Sequence, residues 1–528
     1  MEKLDTTRFT WIVNEYFGRD RLFSSLSAWS LGEVLRHTPN RCVRLVRTEG
    51  ESLVVKWFYH RGLSGILKTL FAGTPAARQW KALVAARQTG LPSACAIALG
   101  EEKGILRRES LLAVQFLENT VVLTDALFGR RRLGGKLRWQ LVREVAALVR
   151  KAHDLGFYPR DLHAGNILIK LNETGVEAYL IDLQGVAEGR SLKPRKRWKN
   201  LAVFHGGCTE ASRTERLRFL KHYLSHPAPL PFDLRRLTAE LERKAMRHRN
   251  FIWQRRQRRC VEENRDFARV QAPPFIGFAL KAYWDNGLSS LRREPEQFLQ
   301  GPDARVIKDS KTTTVAVSGD AAERFYIKRY NYQGVAYAAK DFFRSSRARR
   351  TWIAANSLEM RGIPVARPLL YLERRRLGIL LESYILTQAL AGVMLRDIFR
   401  RYDGAGYRIE EKRLLLRALA RFLKKMHRNG VAHRDLKGSN FIVQETAGGG
   451  YDFHIVDFDG IHLGPVSWYR RTKNLTRLAE ECRRHSCFTQ SDRLRFLKSY
   501  LGAKEAKAWK TVWRAIAKRS RGRVVSSN

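Results

Sequence analysis

One short stretch carries a histidine, an arginine and an aspartate, followed five positions later by an asparagine: His433-Arg434-Asp435-Leu436-Lys437-Gly438-Ser439-Asn440. An apolar run, Phe441-Ile442-Val443, comes next, then a glycine-rich turn at Gly448–Gly450. A second run ends Ile455-Val456-Asp457-Phe458-Asp459. The spacing has a chemical logic. A hairpin between Asn440 and Asp457 returns the chain, so that amide oxygen and carboxylate face one point. Two such oxygen donors suit a hard divalent cation held against phosphate oxygens. Asp435 is then left to orient an acceptor hydroxyl and take its proton. Lys437, two residues on, is placed to neutralise charge on a phosphoryl group in transfer.

The same order occurs earlier in the chain. Tyr158-Pro159-Arg160-Asp161-Leu162-His163-Ala164-Gly165-Asn166 leads into Ile167-Leu168-Ile169, and a second run ends Leu180-Ile181-Asp182-Leu183-Gln184. Asn166 and Asp182 are the expected metal pair there, and Asp161 the expected proton acceptor. Pro159 replaces the loop histidine, and His163 stands in the place of Lys437. Upstream, Lys56 and Lys328 each lie in a β-rich run, 105 and 107 residues before the aspartates Asp161 and Asp435. Such a lysine binds the α- and β-phosphates of ATP in phosphotransferases of this kind. A single Arg-Asp pair is ordinarily a turn or a salt bridge. Four polar positions recurring in order, in the same local contexts, point to a phosphotransferase site built twice.

Those residues need elements to position them, and the elements also recur. Arg216–Leu224 reappears as Arg493–Leu501, 277 residues on, and Arg160-Asp161-Leu162 as Arg434-Asp435-Leu436, 274 on. Trp80, Gly90 and Pro92 match Trp352, Gly362 and Pro364 at 272. A period this long is a duplicated domain rather than a solenoid. The expected domains are 1–260 and 261–528. Between them Glu242–Arg259, with eight Lys or Arg residues, reads as a basic connecting helix. It is either a solvated linker or a surface for anionic lipid or substrate. Pro273-Pro274 breaks any helix beyond it.

Each repeat begins with β-rich runs (Ser52–Phe58, Arg324–Tyr330). A helix around Trp80 or Trp352 and an apolar strand (Leu111–Leu117, Ile379–Ile385) follow. Then comes a long amphipathic helix. Its apolar positions are Leu141, Val145, Leu148 and Ala152 in one copy, and Leu415, Leu419, Phe422 and Met426 in the other. Steps of four, three and four place them on one buried face. Gly156 and Gly430 end these helices. The segment Gly129–Leu137 imitates a P-loop, but its spacing is off by one and Leu137 replaces the metal-binding hydroxyl. It reads as a basic loop.

The 528 residues exceed one ordinary core, and 44% of them are apolar, a globular composition. The net charge of +47 is spread along the chain and attracts polyanions. The N-terminus lacks the pattern of a signal peptide, and no apolar run approaches ~18 residues. The expectation is a cytoplasmic protein, soluble or peripheral on a membrane. Six cysteines without a CxxC pair fit reduced thiols. Cys482-Arg-Arg-His485-Ser-Cys487 lacks a fourth ligand nearby and is not read as a zinc site. No RNA-recognition, zinc-finger or helix-turn-helix signature is present, so no stable nucleic-acid partner is expected.

At these motifs the chain resembles the protein-kinase-like superfamily, through H-R-D-x-x-x-x-N at His433–Asn440. More narrowly it resembles the bacterial lipopolysaccharide kinase (Kdo/WaaP) family. That narrower likeness rests on Lys328-Arg-Tyr-Asn, Ser346–Trp352, Gly362-Ile-Pro364, Arg471-Thr-Lys-Asn474-Leu475 and Arg493–Leu497, echoed by Lys199-Asn200-Leu201 and Arg216–Leu220. The resemblance implies an α+β fold of two tandem bilobal kinase-like domains using ATP with Mg²⁺ or Mn²⁺. It implies phosphorylation of a sugar hydroxyl on lipopolysaccharide core, linked to lipid A, at the cytoplasmic face of the inner membrane. The anionic membrane then accounts for the charge. The pattern departs from protein kinases in three ways. No G-x-G-x-x-G precedes either lysine, the third-position glycine after Asp182 or Asp457 is missing, and Gln79 and Thr351 stand where a helix glutamate would pair the lysine. Two other readings stand beside it: a Ser/Thr protein kinase or a small-molecule phosphotransferase, the latter resembled by Asp161-Leu-His-Ala-Gly-Asn166, and a basic nucleic-acid-binding scaffold on an inactive kinase fold, supported only by the net charge.

Overall fold

Side chains along Phe9–Val13 alternate between buried and half-buried, the mark of a strand with one face on a core. Such strands assemble into one seven-stranded antiparallel sheet in each half of the chain. The computed structural model describes residues 2–15, 17, 19–48, 51–60, 69–104, 108–128, 133, 135–173, 175–183, 191–208, 211–225, 233–283, 293–302, 304–319, 324–331, 345–404, 407–505 and 508–524. The chain divides into two compact units, Met1–Arg249 and Asn250–Asn528. The division falls before residue 260, inside a continuous helix, Leu234–Gln257. The P-loop-like segment at 129–137 lies partly outside the described residues, as does Gln184.

In the first unit the strands are β1 (Glu2–Asp5), β2 (Phe9–Val13), β3 (Glu33–Thr38), β4 (Arg41–Thr48), β5 (Glu51–Tyr59), β6 (Ala96–Glu102) and β7 (Glu109–Gln115). Their order in the sheet is β1-β2-β6-β7-β5-β4-β3. Helix α1 (Arg19–Ser27) follows β2, and α2 (Pro75–Gln88) crosses the sheet. Thr74 caps α2 by accepting from Ala77 N–H, with Pro75 in the first turn, where its missing N–H costs nothing. The buried face of α2 carries Ala76, Ala82 and Ala86 around Trp80, which lets it lie close to the strands. The lower half contains β8 (Thr120–Val122), α3 (Leu123–Phe128) and the amphipathic α4 (Gly135–Asp154). It continues with the hairpin β9 (Ile167–Asn172) and β10 (Gly175–Leu180), then α5 (Pro194–Gly207), α6 (Arg213–Leu224) and α7 (Leu234–Gln257). The four apolar positions expected on α4 are all buried.

The second unit repeats this topology. Strands β11 (Phe267–Ala272), β12 (Phe275–Leu280), β13 (Arg305–Ser310), β14 (Thr313–Ser318), β15 (Phe325–Tyr330), β16 (Pro368–Arg376) and β17 (Ile379–Gln388) take the order β11-β12-β16-β17-β15-β14-β13. Pro273 and Pro274 form the turn of its first hairpin. Helix α8 (Arg347–Met360) buries Trp352 completely, and its indole N–H donates to Cys260 O at 2.7 Å. Truncating such a ring to alanine costs about 3–5 kcal/mol. The lower half comprises β18 (Val393–Met394), α9 (Leu395–Asp403), α10 (Ile409–Arg428), β19 (Val431–His433), β20 (Phe441–Glu445), β21 (Tyr451–Ile455) and β22 (Ile461–Leu463). Three helices complete it: α11 (Trp468–Cys482), α12 (Gln490–Glu505) and α13 (Trp509–Val524). On α10 the expected Leu415, Leu419 and Met426 are buried, and Phe422 is half-buried against Phe441 and Phe453.

Within each unit the halves are stitched at the Gly-x-Pro turn noted in the sequence. Leu180 N–H donates to Pro92 O and Ile455 N–H to Pro364 O, both at 3.0 Å. Gly90 and Gly362 adopt φ of +67° and +69°, which side chains other than glycine rarely tolerate. The strand fixed by this bridge leads within two residues to Asp182 or Asp457.

Candidate active site

In the second unit the residues singled out in the sequence converge. Asn440 Nδ2 donates to Asp435 O at 2.9 Å, which locks the loop between them. The amide is thereby oriented with Oδ1 away from that carbonyl, touched by the Ser439 hydroxyl at 3.5 Å. Val456 N–H donates to Asn440 O at 3.1 Å, so the strand before Asp457 is fastened to the same loop. The Asp435 carboxylate lies 3.5 Å from Lys437 Nζ and 3.0 Å from Arg477 Nη2 on α11. Lys328, on β15, reaches Asp457 at 3.5 Å and Asp459 at 2.8 Å.

His433 joins the two segments. Its Nδ1 accepts from Asp435 N–H at 3.1 Å, so the ring proton sits on Nε2, which donates to Asp457 O at 3.2 Å. Burial favours this neutral form and lowers the His433 pKa. Asn474, on α11, clamps the same residue. Its Oδ1 accepts from His433 N–H at 3.2 Å, and its Nδ2 donates to His433 O. Behind it, His427 Nε2–H donates to Asn474 Oδ1 at 3.0 Å, and Tyr500 O–H donates to His427 Nδ1 at 2.7 Å. The recurring Arg493–Leu501 segment thus supplies a buried brace for the loop, through the tyrosine of α12.

Asp459 explains how Lys328 is held without a helix glutamate. Its carboxylate also accepts from Thr351 Oγ1 at 3.2 Å and pairs with Arg347 at 3.3 Å, both on α8. Burial opposes the charge on Asp459, yet Lys328 and then Arg347 hold its pKa below the usual carboxylate range. Burial likewise opposes the charge on Lys328, but Tyr330, Asp459 and Asp457 keep its pKa raised. Thr351, noted as standing where the glutamate should be, therefore acts on the lysine through Asp459.

The first unit assembles the same frame with fewer supports. Asn166 Nδ2 donates to Asp161 O at 2.9 Å, and Ile181 N–H to Asn166 O at 3.0 Å. His153 repeats the brace, bonded to Tyr223 O–H at 2.7 Å and Asn200 Oδ1 at 2.9 Å. Asn200 Nδ2 donates to Pro159 O at 2.6 Å, but proline has no N–H to return, so one arm of the clamp is lost. Lys56 donates to Gln79 Oε1 at 3.2 Å and is paired with Asp182 itself. Arg41 adds a second cation 3.5 Å from Asp182. Burial opposes the Asp182 charge, but these cations, Lys56 first, lower its pKa. Asp182 sits at φ +60°, a left-handed conformation that costs a non-glycine residue about 1–2 kcal/mol. His163 Nε2 lies 3.5 Å from the Asp161 carboxylate, whose side chain is 83% exposed, against 46% for Asp435.

Sequence reasoning assigned no role to Asp459, Arg477, Glu481, Asn474 or Asn200. Glu481 accepts from Gly438 N–H at 2.5 Å and so fixes the middle of the loop. Asn200 and Asn474 were visible as recurring letters 274 residues apart. Arg477 and Glu481 had no such signal, because the first unit has Val203 and Gly207 at that offset.

The family model described as the lipopolysaccharide kinase (Kdo/WaaP) family matches residues 35–223 and 297–500. Both matches begin after the first hairpin of their unit. The lipopolysaccharide core heptose(I) kinase WaaP of Escherichia coli is 31% identical over 214 residues, covering 37% of this chain and 79% of that protein. The 3-deoxy-D-manno-octulosonic acid kinase of Mannheimia succiniciproducens is 31% identical over 180 residues, covering 32% and 71%. Among solved structures, that of WaaP in complex with acyl carrier protein aligns at 24% identity, over 45% of this chain and 98% of that one, with a TM-score of 0.35.

Proposed function

The chain belongs to the lipopolysaccharide kinase (Kdo/WaaP) family, and from that premise we propose that it phosphorylates a sugar hydroxyl of the lipopolysaccharide core, using ATP and a divalent cation. The observation that carries the reading is the convergence of Lys328, Asp435, Asn440 and Asp457 around one loop and one hairpin. The same frame recurs at Lys56, Asp161, Asn166 and Asp182.

The donor set fits the group it would hold. Asn440 Oδ1 and the Asp457 carboxylate are hard oxygen ligands, suited to Mg²⁺ or Mn²⁺. Bound there, the cation would neutralise phosphate charge. Lys328 would hold the α- and β-phosphates. Asp435 orients the acceptor hydroxyl and takes its proton as the oxygen bonds to the γ-phosphorus, ADP leaving with the bridging electron pair. Lys437 and Arg477 steady that carboxylate and face the transferring charge. In the first unit Asn166 and Asp182 would hold the cation and Lys56 the phosphates, with Asp161 at the acceptor.

Among the described residues no helix is long and apolar enough to cross a membrane. The reading places the enzyme at the cytoplasmic face of the inner membrane, held on anionic lipid by its net charge of +47. Each basic residue near such a surface contributes about 1 kcal/mol, screened by salt. Vesicle co-sedimentation should therefore fall steeply with salt.

The deciding experiment offers labelled ATP, with and without Mg²⁺ or Mn²⁺, to purified lipopolysaccharide, protein and free-sugar fractions. Label in the lipopolysaccharide core, dependent on the cation, is the expected result. Label only in protein or free sugar overturns the acceptor assignment. Absence of metal-dependent ATP binding by calorimetry overturns the enzyme reading itself.

A further inference from the structure

Beside Asp161 the first unit opens into a basin of 660 Å³. Arg160 lines it from the loop, Arg195 and Lys199 from α5, and Lys244, Arg247 and His248 from α7. Lys244 is paired with Glu240 at 2.7 Å. Arg160, Arg195, Lys199 and Arg247 have no carboxylate partner among the described residues. Tyr158 and Arg160, the latter next to Asp161 in the chain, line the basin, so the loop that carries Asp161 borders it.

The basin exists because of particular residues. Val203 and Ala202 floor it. In the second unit the residue 274 positions after Val203 is Arg477, which reaches across to Asp435 at 3.0 Å. The counterpart of Arg195 there is Tyr469, covered by the Arg519 guanidinium at 4.2 Å. The two units therefore present different surfaces beside the same loop. Cations gathered around one cavity repel one another, and a bound anion relieves them together. Arginine forks from separate helices match the oxygens of a phosphate.

We propose that this basin binds a phosphate ester carried by the acceptor, so that the first unit acts on a sugar whose own or neighbouring residue is already phosphorylated. This deepens the acceptor reading above and rests on it. The acceptor is then the product of an earlier phosphotransfer.

The test is a binding measurement that needs no turnover. Full-length protein is titrated with de-acylated lipopolysaccharide oligosaccharide, before and after phosphatase treatment. The phosphorylated form should bind at least tenfold tighter. The doubly substituted Arg195→Gln/Arg247→Gln protein should lose that difference. Arg243→Gln/Arg256→Gln, which removes the same charge from α7 outside the basin lining, should keep it. Equal binding of the two oligosaccharides, or equal loss in both double variants, overturns the proposal. A third arm uses phosphatidylglycerol vesicles. If only vesicle binding depends on Arg195 and Arg247, the site serves lipid headgroups and the acceptor assignment falls. Failure of the function reading is seen separately, as absent label transfer to any lipopolysaccharide.

Discussion

Lys328 Nζ lies 2.8 Å from Asp459 Oδ2, whereas its counterpart Lys56 is bonded to Asp182, the aspartate proposed to hold the cation. In the second unit the lysine has an anchor beside the expected metal ligand. In the first the two roles fall on one carboxylate, so holding a cation there means loosening the grip on Lys56. This difference sets the expectations that follow.

Asp459→Asn should weaken ATP binding by the second unit about tenfold or more. The amide can still accept from Thr351, but Lys328 and Arg347 lose their shared counter-charge in a buried setting, where an unpaired charge is costly. Calorimetry with ATP and Mg²⁺, on a protein whose first site is disabled by Asp182→Ala, reads this directly. Unchanged affinity would show that Asp459 is not the anchor.

Acid should destabilise the fold through two buried histidines. Burial depresses His153 and His427 to about 4, each with both ring nitrogens engaged. An unfolded imidazole titrates near ~6.5. Below that value the unfolded chain takes up protons that the folded chain refuses. Stability is therefore full above about pH 6.5 and is lost as pH falls toward about 4, by roughly 3 kcal/mol for each histidine. Asp182 and Asp459, with lowered values, add their loss only at lower pH. Urea midpoints should stay level from pH 8 to about 6.5 and decline from there to pH 5; a flat or rising profile below about pH 6.5 contradicts the buried neutral braces.

Gly438 and Glu481 form a matched pair that the first unit replaces with another. A Cβ on Gly438 would meet Glu481 Oε1 at 2.7 Å and the Arg396 backbone N at 2.9 Å. The first unit has Ala164 and Gly207 at these positions, so its alanine meets no carboxylate from α5. Gly438→Ala should therefore cost the second unit about 1–3 kcal/mol by overpacking and lower its transfer rate, while Ala164→Gly should change little. Thermal unfolding and single-turnover rates on the two variants check this. Tolerance of Gly438→Ala would mean that the loop shifts freely.

Much of this architecture was legible because duplication doubles every signal. Lys56 and Lys328 fall on strands, and the buried stripes of α4 and α10 fall on helices, as period and spacing indicated. The first hairpin of each unit was not expected. Its strands are short and one of them is largely exposed; Pro273-Pro274, read only as a helix breaker, is the turn of the hairpin in the second unit. Asp459 has no assigned role in the sequence because its position reads only as a glycine missing after Asp457, a departure from the protein-kinase pattern, and not as a carboxylate gained. Arg477 and Glu481 act across long sequence separations on the one unit that has them, and neither spacing nor repetition marks such a residue.

The second unit should carry the larger share of phosphotransfer. His433 ties Asp435 N–H to Asp457 O through one imidazole, while Pro159 offers neither an imidazole nor a backbone N–H. Asp435 is set between Lys437 and Arg477, while the position of Arg477 is occupied in the first unit by Val203 and that of Lys437 by His163, a weaker cation near neutrality. Glu481 fixes the loop in one unit, and Gly207 cannot do so in the other. These supports act on position and charge at the reacting centre, where a misplacement of about 1 Å can cost ~10²-fold in rate. Asp435→Ala should then remove most of the label transfer to lipopolysaccharide, and Asp161→Ala should leave the greater part. Arg477→Val, which copies the first unit, should lower kcat with little change in KM for ATP, since Arg477 pairs with Asp435, the proposed acceptor base, and not with Lys328, the proposed phosphate ligand. If Asp161→Ala proves the more damaging on the same acceptor, the supports described here do not set the rate, and the dominant site is the first.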